Sequence, residues 1–77
     1  KVHLFGELGF YGPERRSRFE VRLEGELPLA EAIRLLGVPV ADVAVVGLNG
    51  GVVRLDDASL TVTDDDRLDL FPATSGG

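Results

Sequence analysis

The sequence predicts an α+β roll of about five strands, with one main helix lying across one face of the sheet. Three observations predict it. The stretch Leu29–Leu36 repeats its apolar residues with helical spacing. The stretches on either side alternate, or run apolar, as strands do. Asn49-Gly50 sits between two apolar runs, the strongest short signal for a hairpin turn. A helix that joins two hairpin-like pairs must lay its single apolar stripe on a sheet, because neither layer can bury that side alone.

The elements follow in order. Val2-His3-Leu4-Phe5 reads as a first strand and Gly12-Pro13-Glu14-Arg15 as a turn. Arg18–Leu23 alternates strictly, so Phe19, Val21 and Leu23 face a core while Arg18, Glu20 and Arg22 face water. These two strands read as a hairpin with a loose loop. Pro28 suits the first turn of a helix, where its missing N–H costs nothing. Leu29, Ala32, Ile33 and Leu36 then form one buried face, and Glu31 and Arg34 lie together outside. Gly37 can take the left-handed conformation that ends a helix, and Pro39 prevents continuation. Val43–Leu48 is dense in β-branched residues and reads as a well-buried strand, with Val52-Val53 returning after the turn. Ser59–Thr63 reads as either a short strand or a turn of helix. Asp64-Asp65-Asp66 breaks the chain, Arg67–Phe71 alternates as the last strand, and Pro72 stops it.

Composition removes most chemistry. A chain of 77 residues is one small domain with a modest core. Its hydrophobic share of 44% is that of a folded protein. With no Cys there is no disulfide, thiol nucleophile, zinc–thiolate site or iron–sulfur ligation. Its apolar runs are too short to span a membrane, and no signal-peptide pattern is visible, so a cytoplasmic location is the default expectation. The net charge of −5, from 13 acidic against 8 basic residues, argues against nucleic acid and for docking on a basic protein surface. Arg15-Arg16-Ser17-Arg18 reads as a solvated hairpin tip. His3 is the only imidazole and has no Cys or second His to make a metal site with. The aspartates at 56, 57 and 64–66 lack the spacing and central Gly of a calcium loop and read as solvated turns. No glycine-rich cradle opens a helix, and no catalytic triad can be assembled. The chain alone is not expected to be an enzyme or to hold a metal.

On these residues the chain resembles the ubiquitin-like β-grasp proteins. More narrowly, it resembles the sulfur carriers that include the molybdopterin synthase small subunit and the thiazole-synthesis carrier. The resemblance is carried by the helix after the first hairpin, by Leu48-Asn49-Gly50, and by the run from Asp64 through Leu70-Phe71-Pro72 to Gly76-Gly77. Leu70-Phe71-Pro72 shortly before Gly76-Gly77 is most similar to the molybdopterin branch. Two departures stand out: Asp65 replaces a frequent Gly, and Thr74-Ser75 replace the usual Pro, Val or Ala.

The resemblance implies a mixed sheet in which the first and last strands are parallel neighbours. It implies a folded domain over 1–72 and a flexible tail over 73–77. Gly77 would be adenylated by an E1-like enzyme that uses ATP, and a sulfur donor protein would help convert it to a thiocarboxylate. A larger catalytic subunit of the molybdopterin-synthase type would pass the sulfur to a pterin precursor of the molybdenum or tungsten cofactor. The carrier itself would bind no cofactor. The same chemistry could instead serve thiazole synthesis, tRNA thiolation or conjugation to protein lysines. In a different class, the chain would be a noncovalent ubiquitin-like interaction module whose Gly76-Gly77 is only a frayed end.

The residues suit the carrier reading on their own terms. A carboxylate is a poor electrophile until it is activated as an acyl-adenylate. Gly76 and Gly77 have no Cβ and can thread a narrow channel, and the small Ala73, Thr74 and Ser75 extend the reach. Pro72 stiffens the exit of the arm. In the last and first strands, Leu4, Leu68 and Leu70 would face the helix. Phe5 and Phe71 have the opposite parity and would meet on the open face. A partner-binding patch of Phe5, Phe71 and Pro72, continued by Ala73, Thr74 and Ser75, is therefore expected. The alternative is that residues 6–11 fold over the two rings and bury them.

Overall fold

The computed structural model describes residues 1–73. They form seven strands and one α-helix: β1 (Val2–Leu4), β2 (Arg18–Phe19), β3 (Leu27–Pro28), α1 (Leu29–Leu35), β4 (Val43–Leu48), β5 (Gly51–Val53), β6 (Thr61–Val62) and β7 (Leu68–Pro72). The main sheet has five strands in the order β2-β1-β7-β4-β5, and β3 pairs with β6 in a separate two-stranded ribbon. β1 and β7 run parallel, with Val2 opposite Leu68 and Leu4 opposite Leu70. The other pairings are antiparallel. This is the mixed α+β arrangement expected.

Strand parity builds the core. Leu4, Leu68, Leu70 and Val46 point from the sheet toward Leu29, Ala32 and Ile33 of α1, and all seven are buried. A fully buried aliphatic side chain contributes roughly 1.5–3 kcal/mol, so this one interface carries much of a small domain's stability. α1 ends as its residues require. Leu36 donates its N–H back to Ala32 and Ile33, and Gly37 follows at φ +80°.

Several elements differ from expectation. The connection between β1 and β2 is not a loose loop. It winds through 3₁₀ segments at Gly6–Tyr11 and Pro13–Arg15, and Leu8 within it is fully buried. The in-and-out alternation of residues 18–23 survives in burial, but only Arg18 and Phe19 pair with β1. Beyond them the chain leaves the ladder, and the Leu23 N–H donates to the Asp64 carboxylate instead. Pro28 lies in β3, opposite Thr61, and precedes the helix rather than opening its first turn. Ser59–Thr63 resolves to strand because Thr61 and Val62 pair with β3. Val43–Leu48 is a strand but not a well-buried one, since Ala44 and Val45 are exposed. Pro72 does not stop β7; it is its last paired residue, opposite Val43, at a strand end where a proline is tolerated.

The β4–β5 hairpin turns as Asn-Gly should, with φ of 53° at Asn49 and 89° at Gly50. The Asn49 side chain also has a long-range role. Its amide donates to Asp66 Oδ1 at 2.8 Å, and its Oδ1 accepts from the Arg67 N–H at 2.8 Å. The second Asp66 oxygen accepts from the Thr63 N–H at 2.8 Å. Asp64 and Asp66 are therefore anchors and not merely solvated turn residues.

The Asn49 amide, and after it the Thr63 N–H, holds the Asp66 carboxyl below the usual carboxylate range. A carboxyl depressed in the folded state contributes stability that is fully present above its unfolded pKa of about 3.9 and is lost as pH falls through the lower folded value. Asp66→Ala should therefore lower the thermal midpoint at pH 7. In parallel melts, the gap to the wild type should narrow as pH is taken below about 4.

Candidate functional site

The face of the main sheet opposite α1 has no layer packed on it among the described residues. The register lays one row across all five strands: Arg18 opposite His3, His3 opposite Asp69, Asp69 opposite Gly47, and Gly47 opposite Val52. The next row pairs Phe71 with Val45. Because β1 and β7 are parallel and in step, Phe5 comes beside Phe71. The two rings stack with centroids 4.2 Å apart and planes 13° from parallel. His3 continues the stack, 3.8 Å from Phe5 at 28°. Arg18 Nε reaches His3 Nε2 at 3.5 Å and closes the row at the sheet edge.

Phe5 and Phe71 are both half-buried, neither covered nor fully open. The segment after Phe5 turns away at Gly6, where φ is +55°, and buries Leu8 rather than covering the rings. The open face also carries Val45 and Val52, exposed by 41% and 79%. Reading Val43–Leu48 as a well-buried strand missed Val45, and Val52 was given no face after the turn. The signal was available: with the hairpin turn at Asn49-Gly50, every second residue of β4 and β5 has to face away from the helix. His3, the lone imidazole, takes its place in the aromatic row.

The chain leaves the sheet beside this patch. Pro72 is half-buried and sits against Gly6, where a Cβ would come within 3.1 Å of the proline Cγ. The Ala73 N–H donates to the Asp42 carbonyl at 3.2 Å. The Asp42 carboxylate in turn accepts from the Tyr11 hydroxyl at 2.9 Å. That bond, with the nearby negative charge, raises the Tyr11 pKa. A groove of about 720 Å³ opens here, with Gly6, Phe10, Tyr11, Arg15, Asp42 and Ala73 around it. Thr74, Ser75, Gly76 and Gly77 lie outside the described residues. Among the described residues, no cluster of His, Asp or Glu could hold a metal ion, and no helix is long and apolar enough to cross a membrane.

The parallel pairing of the first and last strands, the helix across one face and the open second face define a ubiquitin-like β-grasp domain. Residues 2–77 match the model of the ThiS family, and the chain belongs to that family of small ubiquitin-like sulfur carriers. Carriers of this kind work with E1-like activating enzymes and catalytic partners. Among solved structures, the chain is similar to the NMR solution structure of a thiamine biosynthesis protein from Geobacter metallireducens. The TM-score is 0.57 at 22% identity, covering 99% of this chain and 86% of that one, a likeness of fold. No curated protein matches the chain.

The ring stack should be energetically coupled. A double-mutant cycle of Phe5→Ala and Phe71→Ala, read by urea denaturation, should give a coupling of about 0.5–1.5 kcal/mol. Strictly additive losses would mean that the stack contributes nothing beyond the area each ring buries.

Proposed function

We propose that this chain carries sulfur as a thiocarboxylate on Gly77 and delivers it in molybdopterin synthesis. The observation that carries the reading is a β-grasp carrier domain whose last strand runs, through Pro72, into a short sequence of small residues with Gly76-Gly77. The division of labour follows from the chemistry. An E1-like enzyme supplies ATP and turns the Gly77 carboxylate into an acyl-adenylate. A sulfur nucleophile drawn from a donor protein then attacks the acyl carbon and expels AMP. The carrier needs no catalytic side chain, only a tail narrow enough to enter two different enzymes and a surface that both can hold.

In this reading residues 73–77 are the arm. Ala73, Thr74 and Ser75 give it reach, and Gly76 and Gly77 enter the channel. The stacked Phe5 and Phe71, with Pro72 beside them, form the docking patch, and Val45 and Val52 extend it across the sheet. Leu70-Phe71-Pro72 ahead of Gly76-Gly77 favours a molybdopterin-synthase-type large subunit as the acceptor. The second reading is sulfur delivery to thiazole synthesis. It is supported by the ThiS family match and by the likeness to a thiamine biosynthesis protein.

Intact-protein mass spectrometry tests the shared chemistry. Incubation with an activating enzyme, ATP and a sulfur donor should add the mass of one oxygen exchanged for sulfur, and deletion of Gly77 should abolish the gain. The charged carrier, offered to a molybdopterin-synthase-type subunit and to a thiazole synthase, should turn over with the first. Turnover with the second alone would assign it to thiazole synthesis. Phe71→Ala should raise the KM of the activating enzyme for the carrier, and an unchanged KM in a folded variant would remove Phe71 from the docking patch.

A further inference from the structure

The segment between β1 and β2 holds backbone strain that the core does not require. Glu14 and Arg15 have φ of 53° and 60°, left-handed values that side chains with a Cβ adopt at a cost. Both residues are exposed, so no burial compensates them. Gly12 makes the turn sterically possible, because a Cβ there would lie 1.7 Å from the Arg16 carbonyl oxygen. The turn lays the Arg15 guanidinium over the Phe10 ring, 4.6 Å from its centroid. Phe10 is itself 64% exposed. Arg16 is already paired with Glu14 at 2.8 Å, while Arg15 has no carboxylate within ion-pair distance among the described residues. Both Arg15 and Phe10 stand on the groove that contains Ala73, where the chain leaves the sheet.

We propose that the Arg15–Phe10 pair is a second docking element that binds a carboxylate-bearing rim beside the tail channel of the activating enzyme. The proposal rests on the carrier reading above. A guanidinium matches a carboxylate with two parallel hydrogen bonds, and the ring beneath pre-positions it and offers apolar surface to cover. Charge complementarity selects this occupant over a nucleic acid, which a chain of net charge −5 repels as a whole. The same net charge suits a generally basic partner surface. One cation of reversed sign at the tail exit then sets the orientation of docking, since a carrier turned the wrong way would set Arg15 against basic residues. The element touches the rim and not the reacting carboxyl, so it governs encounter rather than chemistry.

The test is ATP–pyrophosphate exchange by candidate E1-like activating enzymes offered the wild-type chain, with kcat and KM measured for the carrier. Arg15→Gly removes the guanidinium and also the positive-φ strain. It should leave the thermal midpoint unchanged or raised while KM rises about three- to tenfold at low salt and kcat holds. Arg15→Glu should raise KM further, and both differences should shrink at high salt. Arg34→Glu makes the same charge change on the exposed side of α1 and should leave KM within about twofold of the wild type. Wild-type KM in both Arg15 variants, or an equal rise in Arg34→Glu, overturns the docking element alone. Absence of exchange with the wild-type chain overturns the carrier reading, and this element with it.

Discussion

The parallel pairing of β1 with β7 is the constraint on which the rest of the molecule depends. It joins the two ends of the described chain in the middle of the sheet and sets Leu4 level with Leu70. Parity then does two things at once. It sends Leu4, Leu68 and Leu70 into the core under α1, and it sends Phe5 and Phe71 to the other side, where their rings meet at 4.2 Å. A slip of one residue would reverse both faces, exposing leucines and burying the aromatic row against the helix. The register that stabilises the fold is thus the register that assembles the candidate docking surface.

The pairing is held by polar contacts at its base. The Asn49 amide, carried on the β4–β5 hairpin, bonds to Asp66 and to the Arg67 backbone where β7 begins. Asp66 also takes the Thr63 N–H, so one carboxylate ties the hairpin, the end of β6 and the start of β7. A domain this small has little apolar area to spare, and anchors of this kind set the position of a strand that the core alone holds only in depth. The acidic character of the chain is therefore partly structural.

The arrangement separates duties by face. One side of the sheet is core, the other carries the aromatic and aliphatic row, and the chain departs at the edge where Pro72 and Ala73 meet Gly6, Tyr11 and Asp42. Among the described residues, the division leaves the open face free of the packing that holds the interior together.

Local physics written in single residues was legible in the sequence. The stripe Leu29, Ala32, Ile33 with Gly37 after it specified α1, and Asn49-Gly50 specified its hairpin, because both signals act within a few residues. Alternation alone also assigned Leu4, Leu68 and Leu70 to the core. The sequence-level resemblance, resting on the order of elements and the run from Asp64 to Gly77, pointed to the carrier family. Tertiary structure decided what depends on partners distant in the chain. Val43–Leu48 is apolar on both faces, so alternation across the Asn49-Gly50 turn requires that one set of residues face away from the helix, and the sheet order decides that the set includes Val45 and, across the turn, Val52. Ser59–Thr63 had no preference strong enough to choose a state until Leu27 and Pro28 offered a strand to pair with. Pro72 reads as a terminator but remains in β7 because β4 holds it in register. The strained turn at Glu14 and Arg15 reads as an ordinary loop, since its consequence, a guanidinium on Phe10 beside Ala73, exists only once β1 and β7 bring those segments together.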